Sequence, residues 1–478
     1  MEDLKETLNS TFHLFSHNKS YAIPGTYDID SIDSAWVLSS ALIFFTMQTG
    51  LGLLEAGILS KKNEVNVLMK KFADICCVGF AYYVYGFAFM YGRGEYTNPF
   101  IGLGDFFVNA DKNDKFANQI FTFFFFQISF ASTSTTIASG GAGERFRFSA
   151  YIIYCFFSCF IYSVGAGWIW GQHGFLKNLG VIDFAGSGPV HIIGGAGALV
   201  SAYYIGPRIG RYEKGTKPLP IGNPFNLCLG TLIVMWGWYG FNAGSSYGLS
   251  GEKWNTSARA GVSTVVTSMA AGFFSMVYSM VKNKGKVSVL EVICGILCSM
   301  AAINAGCSVY SIHTSIVVGL IAAMLCFIVG PLIDRMKIDD AVGATAIHLV
   351  GGIWGQIAVG LFADPIDGHQ GLFYGGGFYL LCIQTFSSIC LALWAALTTL
   401  IILWFVNKII PIRLSVEEET LGCDLTEHFE NDELHKLLTN TETKTGNMVP
   451  KYVCPCHLSP DNDLNKRKVF YINENFEP

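Results

Sequence analysis

Charge is scarce in this sequence. Of its 478 residues only 14% are Asp, Glu, Lys or Arg, where soluble domains carry about 25%. That shortage argues against an ordinary soluble domain, and no basic and aromatic stretch suited to nucleic acid stands outside the apolar runs. A P-loop and an H-E-x-x-H helix are both missing, so ATP-driven and zinc-dependent chemistry have no support and no cofactor is expected. No cysteine falls in the first 75 residues, and most of the fourteen, such as Cys155, Cys159, Cys294 and Cys298, lie inside apolar runs. There cysteine behaves as a small hydrophobe rather than as part of a disulfide framework. "CPCH" (Cys454, Cys456, His457) offers three candidate ligands where structural zinc takes four, so no metal site is expected. The first thirty residues are polar and lack the apolar core of a removable signal peptide.

What the chain has instead is apolar length. Hydrophobic residues make up 51%, and mean hydropathy is +0.41. Runs long enough to cross a bilayer as helices, about 18 to 25 residues, fall at 34–58, 72–94, 118–141, 148–170, 188–207, 223–245, 257–281, 288–306, 313–333, 342–363 and 379–407. The expected fold is therefore an all-α integral membrane protein with eleven transmembrane helices in a lipid bilayer. The 52 glycines suit closely packed helices.

Basic residues orient the spans. One set of alternate connections holds fifteen Lys and Arg, among them Lys61, Lys62, Arg145, Arg147, Arg208 and Arg211; the other set holds six. The richer set reads as cytoplasmic, which puts the N-terminus outside and the C-terminus inside. The sequons at Asn9, Asn18 and Asn255 all fall on the side read as outside. Asn9 and Asn18 are the candidate glycosylation sites; Asn255 lies near the membrane.

Twice the chain places a histidine in an apolar run. Residues 183–197 read "DFAGSGPVHIIGGAG" and residues 340–355 read "DAVGATAIHLVGGIWG". In each, an Asp precedes a His by eight residues, and Gly-Gly follows. The first copy lies on span five and the second on span ten. An odd offset of five spans makes the two units run in opposite directions, as in the inverted five-helix repeats of transport proteins. At 1.5 Å per residue each His lies roughly 12 Å from its Asp. In a hydrocarbon core of roughly 30 Å, His191 and His348 thus approach the midplane from opposite faces. A lone histidine is more often a satisfied core residue, but a duplicated, costly intramembrane one points to function.

Other stretches carry weaker signals. "GWYGFNAGSSYG" (237–248) contains a G-x-S-x-G match centred on Ser246, but a membrane helix rather than a strand precedes it, which argues against a hydrolase elbow. The phenylalanines before Gln127 in "FTFFFFQISFAS" are expected to face lipid or neighbouring helices. Glu55 and Asp74, without repeated partners, read as structural acceptors. Nothing in the chain reads as an enzyme's nucleophile and base.

"AGERFRFSAYIIY" (142–154), "DFAGSGPVHIIGGAGALV" (183–200), "GWYGFNAGS" (237–245), "DDAVGATAIHLVGGIWG" (339–355) and "EEETLGCDLTEH" (417–428), in this order, resemble the ammonium transporter family (Amt/Mep/Rh), and its Amt branch more than its Rh branch. The resemblance implies a homotrimer in the cell membrane with one pore per protomer and ammonium or ammonia, with methylammonium a candidate, as substrate. It implies an outer recruitment site at Trp170 and Ser245 with the acid Asp183, a gate of Phe130 and Phe241, and a pore lined by Trp238, His191 and His348. At Asn304, in "AAINAGCS", many relatives carry threonine. It also implies an organisation into an extracellular segment (1–33), the eleven-helix transporter part (34–407, with repeats of spans one to five and six to ten) and a cytoplasmic regulatory segment (408–430). Gly422, Asp424 and Thr426 belong to that segment, Thr426 at a position phosphorylated in plant relatives. The polar remainder (431–478) is expected to be disordered. A sensor with little flux and an Rh-like neutral gas channel are the alternatives.

The chemistry fits those residue types. A tryptophan face attracts a cation, and a hydroxyl accepts a hydrogen bond that ammonium donates and potassium cannot. Moving the bare cation through an apolar lane costs tens of kcal/mol. Removing its proton, with a pKa roughly two units above neutral, costs about 3 kcal/mol. Deprotonation wins.

Overall fold

The computed structural model describes residues 29–110, 117–215, 219–365 and 370–428. Among them run eleven long helices. They are α1 (Ser31–Ile58), α2 (Lys61–Tyr91), α3 (Ala117–Gly140), α4 (Phe148–Trp170), α5 (187–205), α6 (Pro224–Gly244), α7 (Lys253–Lys282), α8 (Val289–Ile303), α9 (Ile312–Arg335), α10 (Thr345–Phe362) and α11 (Tyr379–Ile409). No strand occurs among the described residues; two isolated bridges are the only extended pairings. Eight of the eleven are long and apolar enough to cross a membrane by length and composition alone. The other three are α5, α6 and α8. Polar and glycine residues dilute the first two, and α8 has only 15 residues. The chain is an all-α integral membrane protein.

Capping residues fix several helix starts. Asp30 accepts from the Asp33 amide, Ser311 from Thr314, and Asn223 from Asn226 just ahead of Pro224. Burial then sorts the helices. In the most apolar window of α3 and of α4, 72% of residues are buried, against 33% in α9 and 28% in α11. The first pair therefore builds the interior, and the second pair presents Leu393, Leu397, Ile401 and Ile328 outward.

Several boundaries differ by a few residues from those read in the sequence, and two of the differences have a clear physical cause. α2 begins at Lys61 rather than at 72, because Lys71 is buried against Glu55 (2.8 Å) and Asp74 (3.5 Å) and so can enter a membrane helix. α8 stops at Ile303 rather than 306, since residues 304–309 turn to meet the start of α5: Phe184 and Ala185 donate to Ala305 and Asn304 oxygens. Glu55 and Asp74 are acceptors in the packing of α1 to α4; Asp74 also takes bonds from Thr136 (2.5 Å) and Tyr151.

α5 and α10 carry the duplicated motif, and the duplication goes deeper than the spacing of Asp and His. Three residues after each Asp stands a glycine with positive φ, Gly186 at +98° and Gly343 at +75°, a conformation glycine adopts without strain. Each Asp then caps its helix. Asp183 takes bonds from the Gly186, Ser187 and Gly188 amides (2.7, 2.9 and 2.6 Å), and Asp340 from Ala344 and Thr345 (3.1 and 2.6 Å). Each His lies in a π-helical turn, 187–192 in α5 and 345–349 in α10. The Gly-Gly pairs explain how the helices meet: a Cβ on Gly195 would stand 2.3 Å from the Leu349 nitrogen, and one on Gly352 would stand 2.5 Å from the Ser187 oxygen.

Candidate functional site

The site is a file of rings drawn from α3, α4, α6, α5 and α10. Trp170, closing α4, packs edge-on to Phe130 of α3 at 5.6 Å between centroids (77° between planes). Phe130 stands edge-on to Phe241 of α6 at 4.7 Å and 80°. Phe241 lies 6.5 Å from His191 and 6.0 Å from Trp238, and the His191 and His348 rings follow at 5.1 Å with planes 12° apart. Phe130, Phe241, Trp238 and His191 are fully or almost fully buried; His348 keeps 6% exposure.

Polar bonds run along the far end of this file. Trp238 donates its indole N–H to Asn304 Oδ1 (2.8 Å). Asn304 Nδ2 lies 2.8 Å from His191 Nε2, and His191 Nδ1 lies 3.1 Å from His348 Nδ1. The two histidines thus meet, as their placement on oppositely directed helices predicts.

At the near end, Trp170 donates to the main-chain oxygen of Asp183 (2.8 Å). The Asp183 carboxylate is turned away into the start of α5, where Gln356 of α10 adds a fourth donor (3.0 Å). Asp183 therefore reaches the site through its backbone and holds both α5 and Trp170 in place. Ser245 is buried one turn beyond Phe241 and donates to the Phe241 oxygen (3.0 Å), so its own oxygen can still accept. Ser246, the centre of the G-x-S-x-G match, has its hydroxyl on the Ala243 and Gly248 oxygens, and no strand precedes it.

Two rings of the site went unread in the sequence. Phe126, one of the five phenylalanines before Gln127, turns inward and meets Phe130 at 5.0 Å; its spacing of four from Phe130 was the available signal. Phe44 of α1 lies flat on Phe241 at 4.6 Å and 3°, and edge-on to Phe130 at 4.8 Å and 80°. Nothing local in α1 marks it.

The tail-side segment docks on its own chain. Glu418 makes a two-pronged pair with Arg147 (3.0 and 2.6 Å), Lys62 donates to the Glu419 and Thr420 oxygens, and Glu427 accepts from the Phe148 amide. Gly422 (φ +100°) turns the chain so that Asp424 caps α2, accepting from Val65 (3.1 Å) and Asn66 (2.7 Å). Thr426 bonds back to the Gly422 oxygen at 3.0 Å. Burial pushes the Cys423 thiol up to about 12, leaving it protonated beneath Glu144. Beside this segment, Arg208 grips Asp339 (2.8 and 2.9 Å) and Arg145 donates to the Gly206 and Asp339 oxygens, joining the end of α5 to the approach to α10. Burial alone would raise the Asp339 carboxyl, but the hydrogen bonds and charge of Arg208, with Arg145 behind, hold it at about 2. Asn9, Asn18 and residues beyond 428 lie outside the described residues, and no cluster able to hold a metal occurs among those described.

Comparison with known proteins agrees with this architecture. Residues 34–433 match the model of the Ammonium Transporter Family. A putative ammonium transporter 3 of Caenorhabditis elegans is 36% identical over 421 residues, covering 84% of this chain and 61% of that protein. Ammonium transporter 1 member 3 of Solanum lycopersicum is 32% identical, covering 84% of this chain and 92% of its own length. Among solved structures, one described as a sensor Amt protein superposes with a TM-score of 0.76 at 30% identity (83% of this chain, 98% of that one). Mep2 of Candida albicans superposes at 0.74 and 26% identity (84% and 91%). A transporter family's match along so much of the chain leaves no case for an enzyme, and the chain belongs to the Ammonium Transporter Family.

Proposed function

We propose that the protein conducts ammonium nitrogen across the cell membrane by recruiting ammonium at its outer face, where its proton is released to the outer water, and passing ammonia along the ring file, with net ammonium moved only if that proton follows. The observation that carries this reading is the unbroken series Trp170, Phe130, Phe241, His191, His348, which supplies a cation-attracting face at one end and paired imidazoles at the other. Trp170 attracts the cation and Ser245 accepts one of its N–H bonds, which potassium cannot supply. Asp183 positions Trp170 and α5. The close-packed Phe130 and Phe241 exclude water, so the species that passes is the neutral one. Beyond them the imidazoles offer the hydrogen bonds that ammonia loses on leaving water.

In this reading the N-terminus is extracellular, with Asn9 and Asn18 as glycan acceptors, and the C-terminus is cytoplasmic. The protein assembles as a homotrimer, each protomer with its own pore, and methylammonium is a second substrate. The segment with Gly422, Asp424 and Thr426 regulates flux through its docking beneath α2. A second reading, a sensor with little flux, draws support from the likeness to a structure described as a sensor Amt protein.

Two-electrode voltage clamp on cells expressing the chain separates these readings. Saturable uptake of labelled methylammonium that ignores potassium, reduced at least tenfold by His191→Ala and by His348→Ala, is the expected result, and an inward current alongside it shows that the released proton also crosses. Rescue of ammonium-starved yeast without current would indicate neutral ammonia alone, as in a gas channel. Neither response would leave the sensor, and flux and selectivity unchanged in both histidine variants would overturn the role given to the pair.

A further inference from the structure

We infer that Asn304 sets the tautomers of both histidines, so that His191 carries its proton on Nδ1 and His348 carries its proton on Nε2. The argument starts from an atom with only one role. An indole N–H can donate but never accept, so the Asn304 atom 2.8 Å from Trp238 Nε1 is the amide oxygen. The other amide atom is then the NH₂ group, which can only donate, and it faces His191 Nε2 at 2.8 Å. That nitrogen must present a lone pair. A neutral His191 therefore bears its proton on Nδ1 and donates it to His348 Nδ1 at 3.1 Å. His348 Nδ1 is an acceptor, which leaves its proton on Nε2. Among the described residues the polar partners of His191 are Asn304 and His348, and the rings packed on it are Trp238, Phe241 and His348.

The result is a hydrogen-bond chain with one direction, from Trp238 through Asn304 and His191 to His348. A further proton cannot be taken up without reversal. His191 Nε2 already accepts from the amide, and His348 Nε2 already bears hydrogen. His348 Nδ1 is occupied by the His191 proton. To protonate the pair, the Asn304 amide must turn over and give up its bond to Trp238. A threonine at 304, whose hydroxyl donates or accepts as needed, would impose no such order. Asn304 is thus a positioning residue that holds the histidines in a neutral, polar state and opposes their acting as a proton store.

This inference rests on the transport reading for its meaning but not for its test. ¹⁵N-histidine-labelled full-length protein in lipid bilayers is measured by solid-state NMR, where protonated and bare imidazole nitrogens resonate far apart. Difference spectra against His191→Gln and His348→Gln assign the two rings. The wild type is expected to show Nδ1–H with bare Nε2 for His191 and the opposite for His348. Asn304→Asp, which accepts from both Trp238 and His191, is expected to exchange the two patterns, and Asn304→Thr to give a mixture. A wild-type His191 protonated on Nε2, or patterns unmoved by Asn304→Asp, overturns the inference. In the voltage clamp, Asn304→Thr is expected to raise the charge moved per labelled methylammonium taken up by at least twofold; an unchanged ratio refutes the proton-store argument. The assigned tautomers in a chain without flux would instead sink the transport reading and leave the inference standing.

Discussion

α5 and α10 are built to one plan and set in different surroundings. Both use an Asp cap, a positive-φ glycine, a π-turn that aims a histidine, and a glycine pair that admits the other helix. The approach to α5 is neutral: Ile182 is held at its N–H and C=O by the Gln384 amide. The approach to α10 is ionic, with Asp339 between Arg208 and Arg145. Asp183 has four donors, and Asp340 has two. His191 is sealed against Asn304, while His348 has no bond at Nε2 among the described residues. Duplication fixed the geometry of the pair, and the neighbours made its two members chemically unlike.

The shared geometry is the harder part to disturb without harm. Gly195→Ala and Gly352→Ala each drive a Cβ into backbone that cannot yield, and each is expected to cost about 3 kcal/mol. Thermal unfolding in micelles should show comparable drops in Tm for both, together with loss of methylammonium uptake. Wild-type Tm and uptake in either would break the idea that the two helices pack symmetrically.

The caps should separate the copies. Asp183→Asn sets an NH₂ group against the Gly188 and Gln356 donors and is expected to cost about 2–3 kcal/mol. Asp340→Asn, with one facing donor, is expected to cost about 1 kcal/mol. Equal losses in denaturant titrations would count against the difference.

Acid should separate them further. Asp339, held at about 2 against about 3.9 when unfolded, contributes stability that is fully present above pH 4 and lost as pH falls towards 2. The loss is about 2.5 kcal/mol, confined to the approach to α10. Hydrogen exchange should show residues 339–349 losing protection over that window relative to 182–191, and Asp339→Asn should abolish the pH dependence. Parallel loss in both segments would refute the assignment. The smallest effect is expected from Thr426→Asp, which adds charge beside Asp424 and Glu427 and loosens the docked segment by about 0.5 kcal/mol. Faster proteolysis of the tail with altered flux is the outcome that fits; neither change would argue against regulation through that segment.

Much of this was legible in one dimension. Apolar run length marked the eleven helices, and the repeated Asp, His and Gly-Gly marked the pair that meets. The glycine three residues after each Asp, in "DFAG" and "DAVG", stood in the sequence unread, and only the fold gave it a positive φ. What stayed hidden depended on distant partners. Lys71 looked like a span boundary because Glu55 and Asp74 neutralise it only in the folded chain. The acid at 183 read as part of a binding site, whereas its carboxylate serves three local amides and Gln356, a residue 173 positions away. Asn304 read as an odd substitution until Trp238 and His191 stood on either side of it.

In the transport reading proposed above, Phe44 would change how the rings between Trp170 and His191 open to let ammonia pass. Two rings alone could swing aside independently, each on its own χ angle. With Phe44 flat against one and edge-on to the other, turning either ring displaces the third, so the three form an interlock rather than a pair of flaps. Opening is then a collective excursion of α1, α3 and α6 side chains. Passage would come in discrete events timed by that shared motion, and the smoothness of the lane beyond it would have little influence on the rate.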